Sequence, residues 1–199
     1  MAAGSLAITN EPIDPPGPPA AADARDVDEV PLGQLLAEDF ATHDRQWLEP
    51  GFWAVAAHRV GTRMGRMAPP DLRRSVDLAH RLMATTVDWV WGIDLPATTR
   101  VGRRLRIWHH GSIVLNARSI GDDVHVRHDT TIGSVRMADA SKADCLPVIE
   151  DGVDIGSGAC VLGDVRLGKG AFIGANSVVL QEVPPGAFAL GVPARIVPK

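Results

Sequence analysis

Residues 149–184 consist of six consecutive hexapeptides, IEDGVD, IGSGAC, VLGDVR, LGKGAF, IGANSV and VLQEVP. Each begins with Ile, Val or Leu, and its fifth residue is small or apolar. A six-residue period of this kind is typical of parallel β-helices, in which three short strands form each 18-residue coil of a triangular prism. The aliphatic position points into the prism, and the small fifth position fits near a corner.

The same period extends upstream through residues 101–131, which read VGRRLR, IWHHGS, IVLNAR, then Ser119 as one extra residue, then IGDDVH and VRHDTT. We therefore predict a mainly β fold, a left-handed parallel β-helix of hexapeptide repeats over residues 93–199. Its crossovers are left-handed, in contrast to the usual right-handed connection. Residues 133–148 have no hexapeptide register and are predicted to form a loop. A long excursion from a regular solenoid usually has a function, such as covering a site.

Residues 31–92 are predicted to form a short N-terminal helical domain, because their apolar residues recur at helical spacing. Pro69, Pro70 and Asp71 suit the start of a third helix that runs to about Trp91, and Gly92 can end it in a left-handed C-cap. The predicted apolar face of this helix comprises Leu78, Leu82, Val87 and Val90. Residues 1–30 are rich in Pro, Ala and acidic residues and are predicted to be a disordered tail.

Composition excludes several classes of function. The net charge of the 199 residues is −4, and no basic stripe is present, so nucleic acid is not an expected partner. No apolar run approaches 18 residues, so no membrane span is expected. The two cysteines are too few for a disulfide framework, and the first residues lack the pattern of a signal peptide, so we expect a cytoplasmic protein.

Several segments carry a resemblance to a known family. They are PGFWAVAAHRVG (50–61), GIDLPATTRVG (92–102), IWHHGSIVL (107–115), VHVRHDTTIG (124–133) and VPPGAFALGVPARIV (183–197). With them, roughly residues 38–198 resemble the serine acetyltransferase family. The resemblance implies an acetyl-CoA-dependent O-acetyltransferase that transfers an acetyl group to the hydroxyl of a small molecule.

The resemblance implies a catalytic pair. The family's catalytic base falls on His109, and its orienting aspartate falls on Asp94. Histidine suits this role because its pKa lies near working pH. Independently, His109 and His128 both hold the third position of their hexapeptides, 19 residues apart, which is one coil plus Ser119. We expect the two rings to stack on one edge of the prism.

The resemblance also implies where acetyl-CoA binds. The family's donor-binding positions fall on Gly133, Ser134, Ser157 and Ala175, and Arg195 lies in the segment beside the nucleotide end of the donor. No metal is expected.

The acceptor side departs from the family pattern. Trp108 replaces an aspartate, and Cys145-Leu146 replaces an Arg-His pair that contacts the amino-acid substrate. A further family aspartate corresponds to Asp39 or Asp44, and the sequence leaves this open. Each lost charge-assisted contact costs roughly 1.5–3 kcal/mol, so we expect L-serine to be a poor acceptor.

The candidate acceptor-binding residues are Trp108, His128 and Leu146. Trp108 offers an apolar face that would suit a sugar ring.

Three alternatives remain open at this point. The first is an acceptor that is a sugar or another hydroxyl metabolite in polysaccharide or natural-product biosynthesis. A metal-dependent hydratase of the carbonic anhydrase type is disfavoured, because that site uses an HxxxxH pair plus a third histidine, whereas this chain has HH and HVRH. The last alternative is a non-catalytic β-helix protein.

The resemblance also predicts the assembly. We expect a homotrimer with the site between neighbouring prisms, and the short helical region argues against pairing of two trimers. We expect no tight complex with the sulfhydrylase of cysteine synthesis, because the chain stops at Ile196-Val197-Pro198-Lys199, soon after GVPAR.

Overall fold

The computed structural model describes residues 27–198. The tail predicted for residues 1–30 lies outside the described residues, except for its last four positions. Three helices come first: α1 (Leu32–Thr42), α2 (Pro50–Met67) and α3 (Arg73–Trp91). As predicted, Gly92 ends α3 in the left-handed region, with φ of 65°. No helix among the described residues is long and apolar enough to cross a membrane.

Fifteen short strands follow. They are β1 (Ile93–Asp94), β2 (Arg100–Val101), β3 (Arg106–Trp108), β4 (Ile113–Leu115), β5 (Ser119–Ile120), β6 (His125–Arg127), β7 (Thr131–Gly133), β8 (Val148–Ile149), β9 (Asp154–Ile155), β10 (Cys160–Leu162), β11 (Arg166–Leu167), β12 (Phe172–Ile173), β13 (Val178–Val179), β14 (Phe188–Leu190) and β15 (Arg195–Val197).

The strands form the three faces of a prism. The first sheet has the order β1-β4-β7-β10-β13, the second β2-β5-β8-β11, and the third β3-β6-β9-β12-β14-β15. All neighbours are parallel except β14 and β15. Every third strand pairs with its equivalent in the next coil, so the predicted parallel β-helix with a short N-terminal helical domain is confirmed.

The inside of the prism is the core that the hexapeptides predict. All twelve residues at the first position are buried: Val101, Ile107, Ile113, Ile120, Val126, Ile132, Ile149, Ile155, Val161, Leu167, Ile173 and Val179. At the fifth position every residue is buried except Gly111, which is half-buried. Burying one such aliphatic side chain contributes about 1.5–3 kcal/mol, so the stacked core holds the coils together.

The helices close the first coil through a buried ion pair. Arg59 of α2 donates to both carboxylate oxygens of Asp39 on α1, with Nη2–Oδ1 at 3.1 Å. The same guanidinium donates to the carbonyl of Gly102 at 2.7 Å. Both side chains are almost completely buried, so this one arginine ties two helices to the start of the β-helix.

The prediction that α3 buries one apolar face is wrong for three of its four residues. Val87 is buried, whereas Leu78, Leu82 and Val90 are 58%, 61% and 61% exposed. Helix α3 packs against α2 and β1 through a narrower stripe than its sequence implies. Periodicity identifies an apolar face, but the element that covers it is not found among the described residues of this single chain.

Candidate active site at a corner of the prism

The corner that joins the third sheet to the first carries both histidines predicted to stack. We call it the His109 corner; it comprises residues 109–112, 128–130, 156–159 and 174–177. Backbone hydrogen bonds connect its levels: Asp129 N–H donates to Gly111 O at 3.0 Å, and Gly158 N–H donates to His128 O at 3.0 Å. The ladder therefore places His109 above His128 along one edge of the prism.

The two rings are in direct contact. The centroids of His109 and His128 are 5.5 Å apart with an interplanar angle of 76°, an edge-to-face arrangement. His109 is exposed and has a φ of 62°, so the end of β3 turns sharply and presents the imidazole to solvent. His128 Nε2 lies 4.0 Å from the carboxylate of Asp129, while its Nδ1 is buried without a hydrogen-bond partner. The predicted stacking is confirmed.

Asp94 lies beside this corner. It is on the edge strand β1, paired with Val114 of β4. The chain just before it is packed tightly against the corner, because a Cβ on Gly92 would lie 2.9 Å from Ser112 N. Asp94 is exposed at the surface, yet partial desolvation by the surrounding protein, helped by the charge of Asp88, raises the pKa of its carboxyl.

The hydrogen bond of the predicted catalytic pair is not formed. Among residues 27–198, the side chains of Asp94 and His109 make no hydrogen bond with each other. The pairing of β1 with β4 brings their segments together, but the two side chains are not hydrogen-bonded in the single chain. The orienting role of Asp94 therefore stays a prediction.

The predicted donor-binding residues lie at three places on the prism. Ser157 and Ala175 lie below His128 on the His109 corner, where Asn176 N–H donates to Ser157 O at 2.8 Å. Gly133 and Ser134 lie at the next corner, where the loop begins. Arg195 is exposed on β15, at the far end of the third sheet. One prism brings together only part of this set.

The loop of residues 133–148 contains two short 3-10 turns, Met137–Asp139 and Ala143–Cys145. Asn116 Nδ2 donates to Ala140 O at 3.0 Å, and Arg118 Nε donates to Ala143 O at 2.8 Å. Side chains of the preceding coil therefore bind the backbone of the loop. Met137 is 91% exposed at its tip. Leu146, predicted to bind the acceptor, is buried at the loop's base.

Trp108 lies on the outer face of the third sheet and is partly covered. The guanidinium carbon of Arg106 lies 4.0 Å from its ring centroid, and its Nε1 donates to His125 Nδ1 at 3.4 Å. One face of the indole therefore already has a cationic partner. The predicted open apolar face is reduced by this contact.

The two acidic residues that the sequence left open have different surroundings. Asp39 is fully buried and is used by Arg59. The Asp44 side chain is 60% exposed and accepts from Arg106 Nη2 at 2.7 Å. Asp44 is thus the acidic residue on the Trp108 side of the molecule, while Asp39 has a structural role.

Sequence reasoning missed a large cavity. It has a volume of about 940 Å³ and lies between α1, α2 and the second sheet, away from His109. Its lining includes Arg63 and Arg66 of α2, Arg100, and the acidic residues Asp122 and Asp151. The two arginines of α2, one helical turn apart, were the only sequence signal for it. Among residues 27–198 no cluster of metal-ligating side chains is present.

Comparison with known proteins identifies close relatives. Residues 147–181 match the family described as bacterial transferase hexapeptide (six repeats). A serine acetyltransferase of Salmonella typhimurium is 37% identical over 150 residues, covering 75% of this chain and 51% of that protein. The chain therefore spans about half the length of the curated relative.

Solved structures agree with the sequence comparison. The soybean serine acetyltransferase apoenzyme has a TM-score of 0.71 at 32% identity, covering 83% of this chain and 69% of that one. A Brucella abortus serine acetyltransferase in complex with coenzyme A has a TM-score of 0.70 at 26% identity, covering 84% of this chain and 68% of that one.

Proposed function

This chain belongs to the serine acetyltransferase family, and on that premise we propose that it transfers an acetyl group from acetyl-CoA to the hydroxyl of L-serine or a closely related small molecule. The observation that carries the proposal is the His109 corner, where an exposed imidazole stands above small residues on one edge of the prism. The names of the relatives favour serine over the sugar acceptor considered from the sequence.

His109 acts as the general base. A hydroxyl is a weak nucleophile at neutral pH, so a positioned base is needed to remove its proton as the oxygen attacks. Acetyl-CoA supplies the acyl group as a thioester. The new bond joins the acceptor oxygen to the acyl carbon, the carbon–sulfur bond breaks, and His109 returns the proton to the leaving sulfur. The products are an O-acetyl ester and the free thiol.

Asp94 orients His109 in this proposal. Its carboxylate would accept from the imidazole and stabilise the cation that forms during proton transfer. In the single chain the two side chains are not hydrogen-bonded, so this contact would form when the substrates bind. Because the pKa of Asp94 is raised, its carboxylate is more basic than an ordinary aspartate and suits this acceptor role.

The donor site extends down the His109 corner. Ser157 and Ala175 are small, so an extended thioester arm can lie along this edge of the prism and meet backbone polar groups. Arg195 begins β15 beside the lower end of this edge, because residues 191–194 bond Ser177 and Val178. Gly133 and Ser134 lie at the next corner of the same chain. A neighbouring prism would supply its own Gly133 and Ser134 to this edge, so a homotrimer is part of the proposal.

The outer face of the first sheet supports that assembly. Val114, Thr131, Cys160 and Val178 form an uncharged row across four strands, which continues at Asp94 of the edge strand β1. Charged residues are depleted at the centre of protein interfaces, so these four positions are suited to packing against a copy of the chain.

The test compares two adjacent exposed histidines. His109→Ala is expected to lower kcat for thiol release from acetyl-CoA in the presence of L-serine by about 10²–10⁴-fold, the usual effect of losing a general base. Asp94→Asn is expected to cause a smaller loss. His110→Ala is the matched control and should stay close to wild type. Near-wild-type turnover in the His109 variant would end the assignment.

The same assay measures acceptor preference. The departures at Trp108 and Leu146 predict low efficiency with L-serine, which a kcat/KM above about 10⁴ M⁻¹s⁻¹ would contradict.

A further inference from the structure

The strand that leads to His109 has one free edge. β3 is the last strand of the third sheet, and Arg106 N–H donates to Val124 O at 2.9 Å on the side of β6. Because backbone polar groups of successive residues in a strand point to opposite sides, those of Ile107 face away from the sheet. An edge strand needs partners for such groups when it is buried.

His43 supplies the partner for the Ile107 amide. Its Nδ1 lies 2.7 Å from Asp39 O, which can only accept, so Nδ1 carries the proton. Nε2 is therefore the acceptor, and Ile107 N–H donates to it at 3.4 Å. His43 is fully buried, so no water can replace it at this position. A single imidazole thus connects the end of α1 to the strand of the active site.

The residues on either side of His43 hold the residue before Ile107. The carbonyl of Thr42 accepts from Arg106 Nη1, and the Asp44 carboxylate accepts from Arg106 Nη2 at 2.7 Å. Arg106 in turn covers one face of Trp108. Residues 42–44 therefore hydrogen-bond Arg106 and Ile107, and through Arg106 they also fix Trp108, immediately before His109.

Helix α2 packs against the same point. A Cβ on Gly51 would lie 2.6 Å from Ile107 O and 2.9 Å from the His43 ring, so only glycine permits this approach. The Ile107 peptide is enclosed from two sides by the helical domain. A shift of either side would be transmitted to the sharp turn that aims His109.

We propose that His43 is a positioning residue for His109, acting through its hydrogen bond with the Ile107 amide. This inference rests on the proposed function, because it concerns the aim of the proposed base. His43 does not touch the substrates. Its role is to fix the end of β3 so that the imidazole of His109 meets the acceptor hydroxyl.

The experiment compares two substitutions at one position. In His43→Gln, the side-chain carbonyl can accept from Ile107 N–H, whereas His43→Leu fills similar space without an acceptor. We expect the Leu variant to lose about 10–100-fold in kcat, because misplacement of about 1 Å costs up to 10²-fold. Its KM for acetyl-CoA should stay within about twofold, and the Gln variant should recover most of kcat. His80→Gln is the control from the helical domain.

A second measurement is independent of activity. Hydrogen exchange of the Ile107 amide should be slow in the wild type and in the Gln variant, and faster in the Leu variant. Equal kcat in the Leu variant and the wild type, equal loss in the Gln and Leu variants, or an unprotected Ile107 amide in the wild type would each overturn the proposal. If the wild type shows no acetyl transfer, the proposed function fails, while the exchange result still reports on the hydrogen bond.

Discussion

Acidification should destabilise this protein through two buried histidines. Burial lowers the pKa of His43 to about 4, with a contribution from the charge of Arg106. Burial likewise lowers the pKa of His58 to about 4, helped by the charges of Arg59 and His80. In the unfolded chain both groups titrate near their ordinary value of 6.5.

The direction of this change in stability follows from the number of protons that each state binds. As the pH falls from 7 towards 4, the unfolded chain takes up protons that the folded protein does not accept, so stability is lost across this window. Between pH 7.0 and 5.5 the average difference is about 0.6 proton per histidine, which corresponds to about 1.2 kcal/mol each and about 2.5 kcal/mol for both. The raised pKa values of Asp39 and Asp94 act in the opposite direction.

Urea unfolding monitored by tryptophan fluorescence at a series of pH values measures this loss. The matched protein carries His43→Gln and His58→Gln, which cannot take up a proton, and it retains both aspartates, so their effect cancels in the comparison. We expect the free energy of unfolding of the double variant to fall less than that of the wild type by about 2.5 kcal/mol over this range. Equal losses in the two proteins would refute the reasoning.

Two further predictions concern stability and assembly. Arg59→Leu should lower the free energy of unfolding by about 3–5 kcal/mol, because it leaves the buried Asp39 without its partner. Adding Asp39→Leu should restore much of the lost stability. Urea melts that show equal loss in the single and the double variant would contradict this. Light scattering should show three chains for the wild type and a smaller species for Val178→Asp, which places a charge on the first sheet's outer face; a monomeric wild type would disprove the trimer.

The prism could be predicted because the six-residue repeat that specifies it lies within short stretches of the chain. In a strand, side chains alternate between two faces, so a six-residue repeat states directly which residue points inward. All twelve first-position residues are buried accordingly. The same arithmetic predicted the contact between His109 and His128, since an 18-residue coil plus Ser119 brings them to equivalent positions. Gly92 as the end of α3 was also predictable, because a left-handed C-cap favours glycine.

The helical domain was predictable only in outline. The sequence indicated three helices, but Leu78 and Leu82 are exposed, because a helical period does not state which element covers a face. The different surroundings of Asp39 and Asp44 depend on Arg59 and Arg106, which are 20 and 62 residues away from them. No periodic pattern encodes such pairs, since they arise only when separate elements dock.

The candidate active site was likewise predictable only in part. The sequence by itself determined that an imidazole stands at a corner of a β-helix, because the repeat sets each residue's place on the prism. Only the tertiary structure decided that Trp108 is covered by Arg106 and that His43 reaches the Ile107 amide. The contact of His43 with Ile107 joins residues 64 positions apart, and that of Arg106 with Trp108 joins residues two positions apart. Both depend on how the helices close the free edge of β3, which is a property of packing and not of the repeat.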